Sequence, residues 1–250
     1  MEVLTYPFTF GGMELRSVMK KVLFLLILAS CSSTSKKENR EMEIAENIPA
    51  VTIGTQTWSK TNLSVDTFLN GDTIPQAKTS DEWNAFVDTE EPAWCYFDFD
   101  STNNALHGKL YNWYAANDTR GIAPKGWRVA TNEDWELLIQ TTGGKNEAGT
   151  RLKAKTGWED LSGNPLEDLT DEFGFSAVPT GELHRDGVFT SLNAMGVWWT
   201  STSYDGPVRW EEKKNDLAWD IVMWYSETMP MRLNTFTKKG SGAIRCVRND

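Results

Sequence analysis

The sequence holds few of the residues on which most catalysis and metal binding depend, with three cysteines and two histidines among 250 residues. A serine nucleophile needs an imidazole held between its hydroxyl and a carboxylate. His107 and His184 stand apart, and neither has a Gly-x-Ser-x-Gly elbow near it. Neither has a second histidine or a cysteine at the spacing of zinc ligands. We therefore expect a protein that is not an enzyme and that needs no cofactor.

Positive charge is also in short supply. The chain carries 25 lysines and arginines against 35 acidic residues, a formal net charge of −10. A polyanion would be repelled by that field, and no cluster of basic residues with interleaved aromatics reverses it locally. We expect no nucleic-acid partner.

Long apolar runs are missing as well. The longest clear run, residues 22–28, follows Lys20 and Lys21 and leads into Ala29, Ser30 and Cys31. As a helix this run covers less than half of a hydrocarbon core of ~30 Å. Two cations, a short apolar segment and small residues before a cysteine are typical of a bacterial lipoprotein signal.

This signal predicts cleavage between Ser30 and Cys31 and lipidation of Cys31, with translation starting at Met19. Two or three acyl chains would attach the protein to a membrane lastingly. We expect a signal peptide at 1–30, a polar tether at 31–49 that cannot order itself, and one folded domain at 50–250. The expected location is the bacterial envelope, most readily the outer membrane.

The folded part is rich in tryptophan, with twelve, and in glycine, with nineteen. Segments change character about every ten residues, which favours a loop-rich α+β domain. The patterns predict a hairpin at 51–58 and helices at 80–87, 109–116 and 132–142. Short strands are predicted at 174–178, 196–202, 218–224, 231–236 and 243–247.

Cys95 and Cys246 remain once Cys31 is assigned to lipid. In an oxidising compartment they could form a disulfide closing a loop of ~151 residues, for which the chain-entropy description gives roughly 5 kcal/mol. The alternative is two separate buried thiols that behave as small apolar side chains.

A weak calcium pattern runs from residue 98 to 104. Asp98, Asp100 and Asn103 offer oxygen ligands, as a calcium loop would. An EF-hand needs glycine at the sixth place and glutamate at the twelfth, where this chain has Asn103 and Lys109. Asp and Asn clusters are also ordinary turn formers.

Tryptophans late in the chain offer a second candidate surface. An indole at Trp199 or Trp210 could stack on a sugar ring. The alternative is core packing, because neighbours in a strand point to opposite faces and Trp198 directly precedes Trp199.

Eight short motifs follow one another in a fixed order, at 53–58, 93–96, 108–115, 124–128, 152–154, 174–177, 198–202 and 244–248. By these motifs the chain resembles the Fibrobacter succinogenes major paralogous domain family, which includes many envelope lipoproteins. More distantly, Gly126-Trp127-Arg128-Val129 and the last strand resemble the formylglycine-generating sulfatase-modifying fold. That fold is a branch of the C-type-lectin-like architecture.

The resemblance implies a single domain with two main helices and twisted antiparallel sheets. It does not imply the sulfatase-modifying oxidation, which uses two nearby cysteines in the C-terminal part where this chain has only Cys246. We expect a lipid-anchored envelope protein that binds an extracellular glycan or protein. The alternatives are a carboxylate-dependent hydrolase acting on carbohydrate and a purely structural envelope protein.

Overall fold

The computed structural model describes residues 48–184, 186–207, 216–226 and 231–249. Within them the chain forms eleven β-strands and five α-helices. The strands are β1 (Ala50–Ile53), β2 (Gln56–Ser59), β3 (Trp94–Cys95), β4 (Leu110–Tyr111), β5 (Trp127–Val129), β6 (Glu182–Leu183), β7 (Phe189–Thr190), β8 (Met195–Ser203), β9 (Leu217–Trp224), β10 (Arg232–Thr237) and β11 (Cys246–Arg248). The helices are α1 (Ser80–Asp88), α2 (Asn104–His107), α3 (Trp113–Ala116), α4 (Asn132–Thr141) and α5 (Lys145–Leu152).

A four-stranded antiparallel sheet of order β1-β2-β11-β5 joins the two ends of the described domain. The predicted N-terminal hairpin is confirmed, with Gly54 at φ 60° in its turn. The last strand lies between this hairpin and β5, so that Val247 pairs with Trp58 on one side and with Arg128 on the other. The sheet therefore forms only after distant parts of the chain have met.

The predicted helices at 80–87 and 132–142 are confirmed as α1 and α4. Thr79 caps α1 by accepting a hydrogen bond from the backbone of Glu82. Thr131 and Asp134 form a reciprocal capping box at the start of α4, which satisfies two backbone donors that a helix leaves open.

The prediction of a helix at 109–116 is wrong in its first half. Leu110 pairs with Cys95 in the β3–β4 ladder, and the backbone N–H of Tyr111 donates to Gly242 O at 2.9 Å. Asn112 then caps the short helix α3 by accepting from the backbone of Ala115. Ladder pairing with a distant segment has overridden the local helical spacing.

The strand predicted at 174–178 is also wrong. Gly174 and Ser176 have φ of 68° and 55°, in the left-handed region that interrupts a strand. The predicted strand at 243–247 begins late, because Ala243 forms an isolated bridge with Trp198 and regular pairing starts at Cys246. Helix α5 was not predicted.

The second large sheet has the order β10-β9-β8 and is antiparallel throughout. Its strands confirm the three predicted at 196–202, 218–224 and 231–236. One face packs into the main core, where the Trp198 ring lies 6.0 Å from that of Trp135. Trp135 in turn packs with Trp58 and Phe175 at centroid distances of 4.8 to 5.8 Å. The architecture is a mixed α+β fold with several antiparallel sheets. No helix of the described ranges is long and apolar enough to cross a membrane.

Arg245 connects the two large sheets. Its guanidinium is fully buried and donates to Asn62 Oδ1 at 2.8 Å and to three backbone carbonyl oxygens, those of Ser59, Phe175 and Ser176. Asn62 Oδ1 also accepts from Trp198 Nε1 at 2.9 Å. One half-buried amide oxygen therefore receives hydrogen bonds from both the last segment of the chain and β8.

Candidate functional site

The structure does not place Trp199 at a ligand surface, so that prediction is wrong. Trp199 is fully buried, its Nε1 donates to Tyr111 O at 2.8 Å, and its ring lies 6.0 Å from that of Phe236. Its indole N–H already donates to the backbone of β4. The alternative interpretation, that Trp199 is a core residue, is therefore correct. Trp210 lies outside the described residues.

The residues of the calcium pattern form local turns. Asp100 Oδ1 accepts from the backbone N–H of Thr102, and Asn103 Nδ2 donates to Phe97 O, each at 2.9 Å. Asp98 has φ of 53°. No group of three or more His, Cys, Asp or Glu side chains that could hold a metal occurs in the described part of the chain. Calcium binding here stays a prediction, while the turn-forming role is observed.

Cys95 and Cys246 are free thiols, so the predicted disulfide is wrong and the alternative of two buried thiols is correct. Cys95 belongs to the β3–β4 ladder and a cluster with Leu110 and Leu183, whereas Cys246 pairs with Val129 in the four-stranded sheet. Each side chain is packed within its own sheet. Burial raises the pKa of both thiols, that of Cys246 to about 12.

The predicted lipidation residue Cys31 and the cleavage position at Ser30 lie outside the described residues. Both stay predictions.

The strongest candidate site lies on the second face of the β8–β10 sheet, here called the outer face. Strand register places Met195, Val197, Val222 and Trp224 on this face, where they form a hydrophobic cluster separate from the main core. Trp224 is half-buried, while the other three side chains are buried. The outer face thus has an apolar base with one indole at its margin.

Polar groups interrupt this apolar base. Asp220, on the central strand β9, is opposite Trp199 on one side and Asn234 on the other. The Asp220 side chain is buried and that of Asn234 is half-buried. Burying a carboxylate on a sheet face costs free energy that an apolar residue would not.

The β6–β7 hairpin lies beside the outer face because the two residues that precede β6 bind the edge of β8. The backbone N–H of Gly181 donates to Met195 O at 2.8 Å, and Thr180 Oγ1 accepts from the N–H of Val197 at 3.0 Å. Leu183 is buried in its own cluster. Because side chains alternate along a strand, Glu182 and His184 project to the opposite side.

His184 meets the outer face at β10, and Glu182 lies on the same side of the hairpin as His184. The His184 ring lies 5.6 Å from that of Phe236, which also contacts Trp199. All three of Glu182, His184 and Phe236 are half-buried. The hairpin therefore adds one carboxyl and one imidazole to a surface lined by aromatic rings.

The Glu182 carboxyl has an unusual environment. Burial raises its pKa above the usual 4.5, and His184 nearby opposes that shift. Within the described ranges no donor hydrogen-bonds this carboxyl, and His184 Nδ1 lies instead 3.8 Å from Asp186 Oδ1. A half-buried carboxyl with a perturbed pKa is a functional-site candidate.

The arrangement suits binding of a polar ligand with an apolar side. Phe236 offers a ring face, while Glu182, His184 and Asn234 offer acceptors and donors on its side of the sheet. Trp224 lies at the other end of β9, with the apolar cluster. A side-chain nucleophile held by a base is not among the described contacts.

The sequence predicts no role for Glu182, and His184 stands in it as an isolated histidine. The one pattern that could have indicated both is the alternation of polar and apolar residues at Glu182-Leu183-His184 after Gly181. A two-residue strand is too short for periodicity to distinguish from a loop.

A family model described as the Fibrobacter succinogenes major domain matches residues 51–248. No curated protein and no solved structure matches the chain.

Proposed function

The chain belongs to the Fibrobacter succinogenes major domain family, and we propose that it is a lipid-anchored binding module of the bacterial envelope that holds an extracellular glycan on its outer face. The proposal covers the anchor, the envelope location and a non-catalytic role. The anchor and the envelope location are supported by the lipoprotein-like signal before Cys31, and the non-catalytic role by the scarcity of histidine and cysteine. The position of the site is supported by the contacts of the β6–β7 hairpin with the outer face.

The observation that carries the proposal is the Glu182 carboxyl. It is half-buried, receives no hydrogen bond within the described residues, and lies beside His184 on a face with Phe236. A desolvated acceptor without a donor gains most when a ligand hydroxyl supplies one. Sugars combine such hydroxyls with apolar ring faces, which suits the neighbouring aromatic side chains.

The finer fold assignment is part of the same proposal. A C-type-lectin-like domain is supported by the last strand lying between the N-terminal hairpin and β5, and by the separate β8–β10 sheet. Two capped helices, α1 and α4, also fit that architecture. Function is argued from the site alone, because one fold serves many functions.

The anchor is tested by mass spectrometry of the mature N-terminus. We expect a diacylated or triacylated Cys31 with residues 1–30 removed, and a Cys31→Ala variant that leaves the membrane fraction. An unmodified Cys31, or a Cys31→Ala chain that stays in the membrane fraction, would contradict the anchor.

The binding function is tested by screening the purified full chain on a glycan array and measuring the affinity of any hit. Glu182→Gln should weaken binding by about tenfold, because a charged acceptor is lost from a desolvated contact. Lys155→Met, at an exposed position, is the control and should bind as the wild type does. Saturable binding that is unchanged in Glu182→Gln would place the ligand elsewhere, and the absence of any hit would favour a structural role.

A hydrolase is the second candidate, and one observation favours it. The outer face and its hairpin carry two carboxyls, Glu182 with a raised pKa and Asp220 buried, and glycosidases use two carboxyls held in different environments. Turnover assays on polysaccharides that bind would separate the two functions. A hydrolase predicts product release that Glu182→Gln abolishes while binding persists.

A further inference from the structure

A second cluster of charged and aromatic side chains lies on the β3–β4 hairpin, apart from the residues of the outer face. Trp94 lies in β3, Tyr96 directly follows that strand, and Lys109 directly precedes β4. Because Trp94 pairs with Tyr111, these three side chains share one side of the hairpin. Lys109 Nζ lies 3.8 Å from the centroid of the Trp94 ring, and the Trp94 and Tyr96 rings meet edge to face at 5.1 Å.

The Lys109 ammonium is poorly compensated for a buried charge. The residue is 6 % exposed, and its nearest carboxylate oxygen is Asp66 Oδ2 at 3.9 Å, beyond hydrogen-bond distance. No acceptor in the described ranges takes a hydrogen bond from its three donors. Contact with the indole face recovers part of the lost hydration energy, and burial lowers the pKa of Lys109 nonetheless.

The Lys109 side chain is not sealed from solvent, since it is 8 % exposed. Of its neighbours, Asp66 is exposed and Tyr96 is half-buried. The Trp94 indole is held in place, because its Nε1 donates to Ile74 O at 3.0 Å.

We propose that Lys109, Trp94 and Tyr96 form a binding site for the carboxylate of an acidic sugar. The carboxylate accepts charge-assisted hydrogen bonds from Lys109 Nζ, and the sugar ring packs against Tyr96. Asp66 competes with the ligand for the ammonium. The site is independent of the outer face, and its proof or failure leaves the Glu182 proposal unaffected.

The acidic balance of the chain sharpens this inference. A net charge of −10 repels anions from the molecule as a whole. A site that holds a carboxylate here must act through short-range contacts with one ammonium.

The test is titration of the isotope-labelled full chain with sodium D-glucuronate, followed through the indole N–H signals by NMR. Glucuronate should shift the Trp94 signal saturably, whereas D-glucose at the same concentration should not. Lys109→Met should weaken the response by about tenfold or more, because the charge-assisted hydrogen bonds are lost. Asp66→Asn should strengthen it, since the competing carboxylate is removed. Lys155→Met is the matched control and should leave the response unchanged.

A labelling measurement on the wild-type chain keeps the proposal testable if Lys109→Met does not fold. Glucuronate should slow acetylation of Lys109 but not of Lys155, as quantified by mass spectrometry of peptides. Equal responses to glucuronate and glucose, a weaker response in Asp66→Asn, or unprotected Lys109 would each overturn the proposal. Acetate binding as tightly as glucuronate would overturn the contribution of the sugar ring.

Discussion

The two faces of the β8–β10 sheet share one backbone and differ in what covers them. On the core face, Trp198 and Ile221 are fully buried among other aromatic and aliphatic side chains. On the outer face, a small apolar cluster gives way to Asp220, Asn234 and the half-buried Trp224. The same strands therefore face an apolar core on one side and, on the other, a layer that mixes buried apolar side chains with polar ones.

The difference lies in how polar groups are satisfied. Behind the core face, Asn62 Oδ1 accepts from both Trp198 and Arg245, so the buried donors are paired. At the outer face, the Glu182 carboxyl and the Asn234 amide receive no hydrogen bond from any described residue. A protein that needed this sheet only for stability would gain by placing apolar side chains there. The comparison teaches that polar side chains on the outer face contribute less to stability than those behind the core face, as the proposed binding role requires.

The largest expected effect is on the core face. Trp198→Ala should lower the free energy of unfolding by about 3–5 kcal/mol, the usual cost of removing a buried aromatic side chain. Trp224→Ala, on the outer face, should cost clearly less because that ring is only half-buried. Denaturant unfolding followed by circular dichroism measures both. Equal losses would mean that the two faces contribute alike and would break the comparison.

Much of the core face could be predicted from sequence, because its strands are long. The segments 196–202 and 218–224 are bounded by turn residues and are long enough to indicate strands, and the capping pattern at Thr131 indicates α4 directly. The prediction that Trp198 and Trp199 point to opposite faces is correct. The candidate ligand role of Trp199 is wrong, because β4 covers its indole.

The outer face could not be predicted, for a physical reason. Its polar residues come from a two-residue strand at Glu182, a buried position at Asp220 and the edge position Asn234, each unremarkable in its own segment. Hydrogen bonds of Thr180 and Gly181 with β8, and of Leu183 with Ser241, place the hairpin against the sheet. The burial of Arg245 could not be predicted either, because its hydrogen-bond partners at 59, 62, 175 and 176 are distant in sequence.

The second prediction compares two asparagines. Asn62→Leu should lower the free energy of unfolding by about 2–3 kcal/mol, because the buried Trp198 N–H and Arg245 guanidinium lose their common acceptor. Asn234→Leu should change it by no more than about 0.5 kcal/mol, as substitutions outside the core do. Thermal and denaturant unfolding measure the pair. A large loss in Asn234→Leu would show that the outer-face amide is structural.

The smallest expected effect concerns Glu182 and depends on pH. Its pKa is raised in the folded chain, so the folded state holds this proton more tightly than the unfolded state does. Stability from this group is therefore greatest at low pH and falls as the pH rises from about 4.5 to the folded pKa.

Glu182→Gln removes that loss. The variant should be more stable than the wild type at pH 7, by no more than about 0.5 kcal/mol as for substitutions outside the core, and the difference should vanish below the ordinary pKa of 4.5. Glu136→Gln, at an exposed position on α4, is the control and should show no such crossover. Unfolding curves from pH 3.5 to 8 measure the effect. A Glu182→Gln chain that is less stable at pH 7 would mean that the carboxylate has a stabilising partner in the folded protein, and the outer face would then lose its distinguishing unsatisfied acceptor.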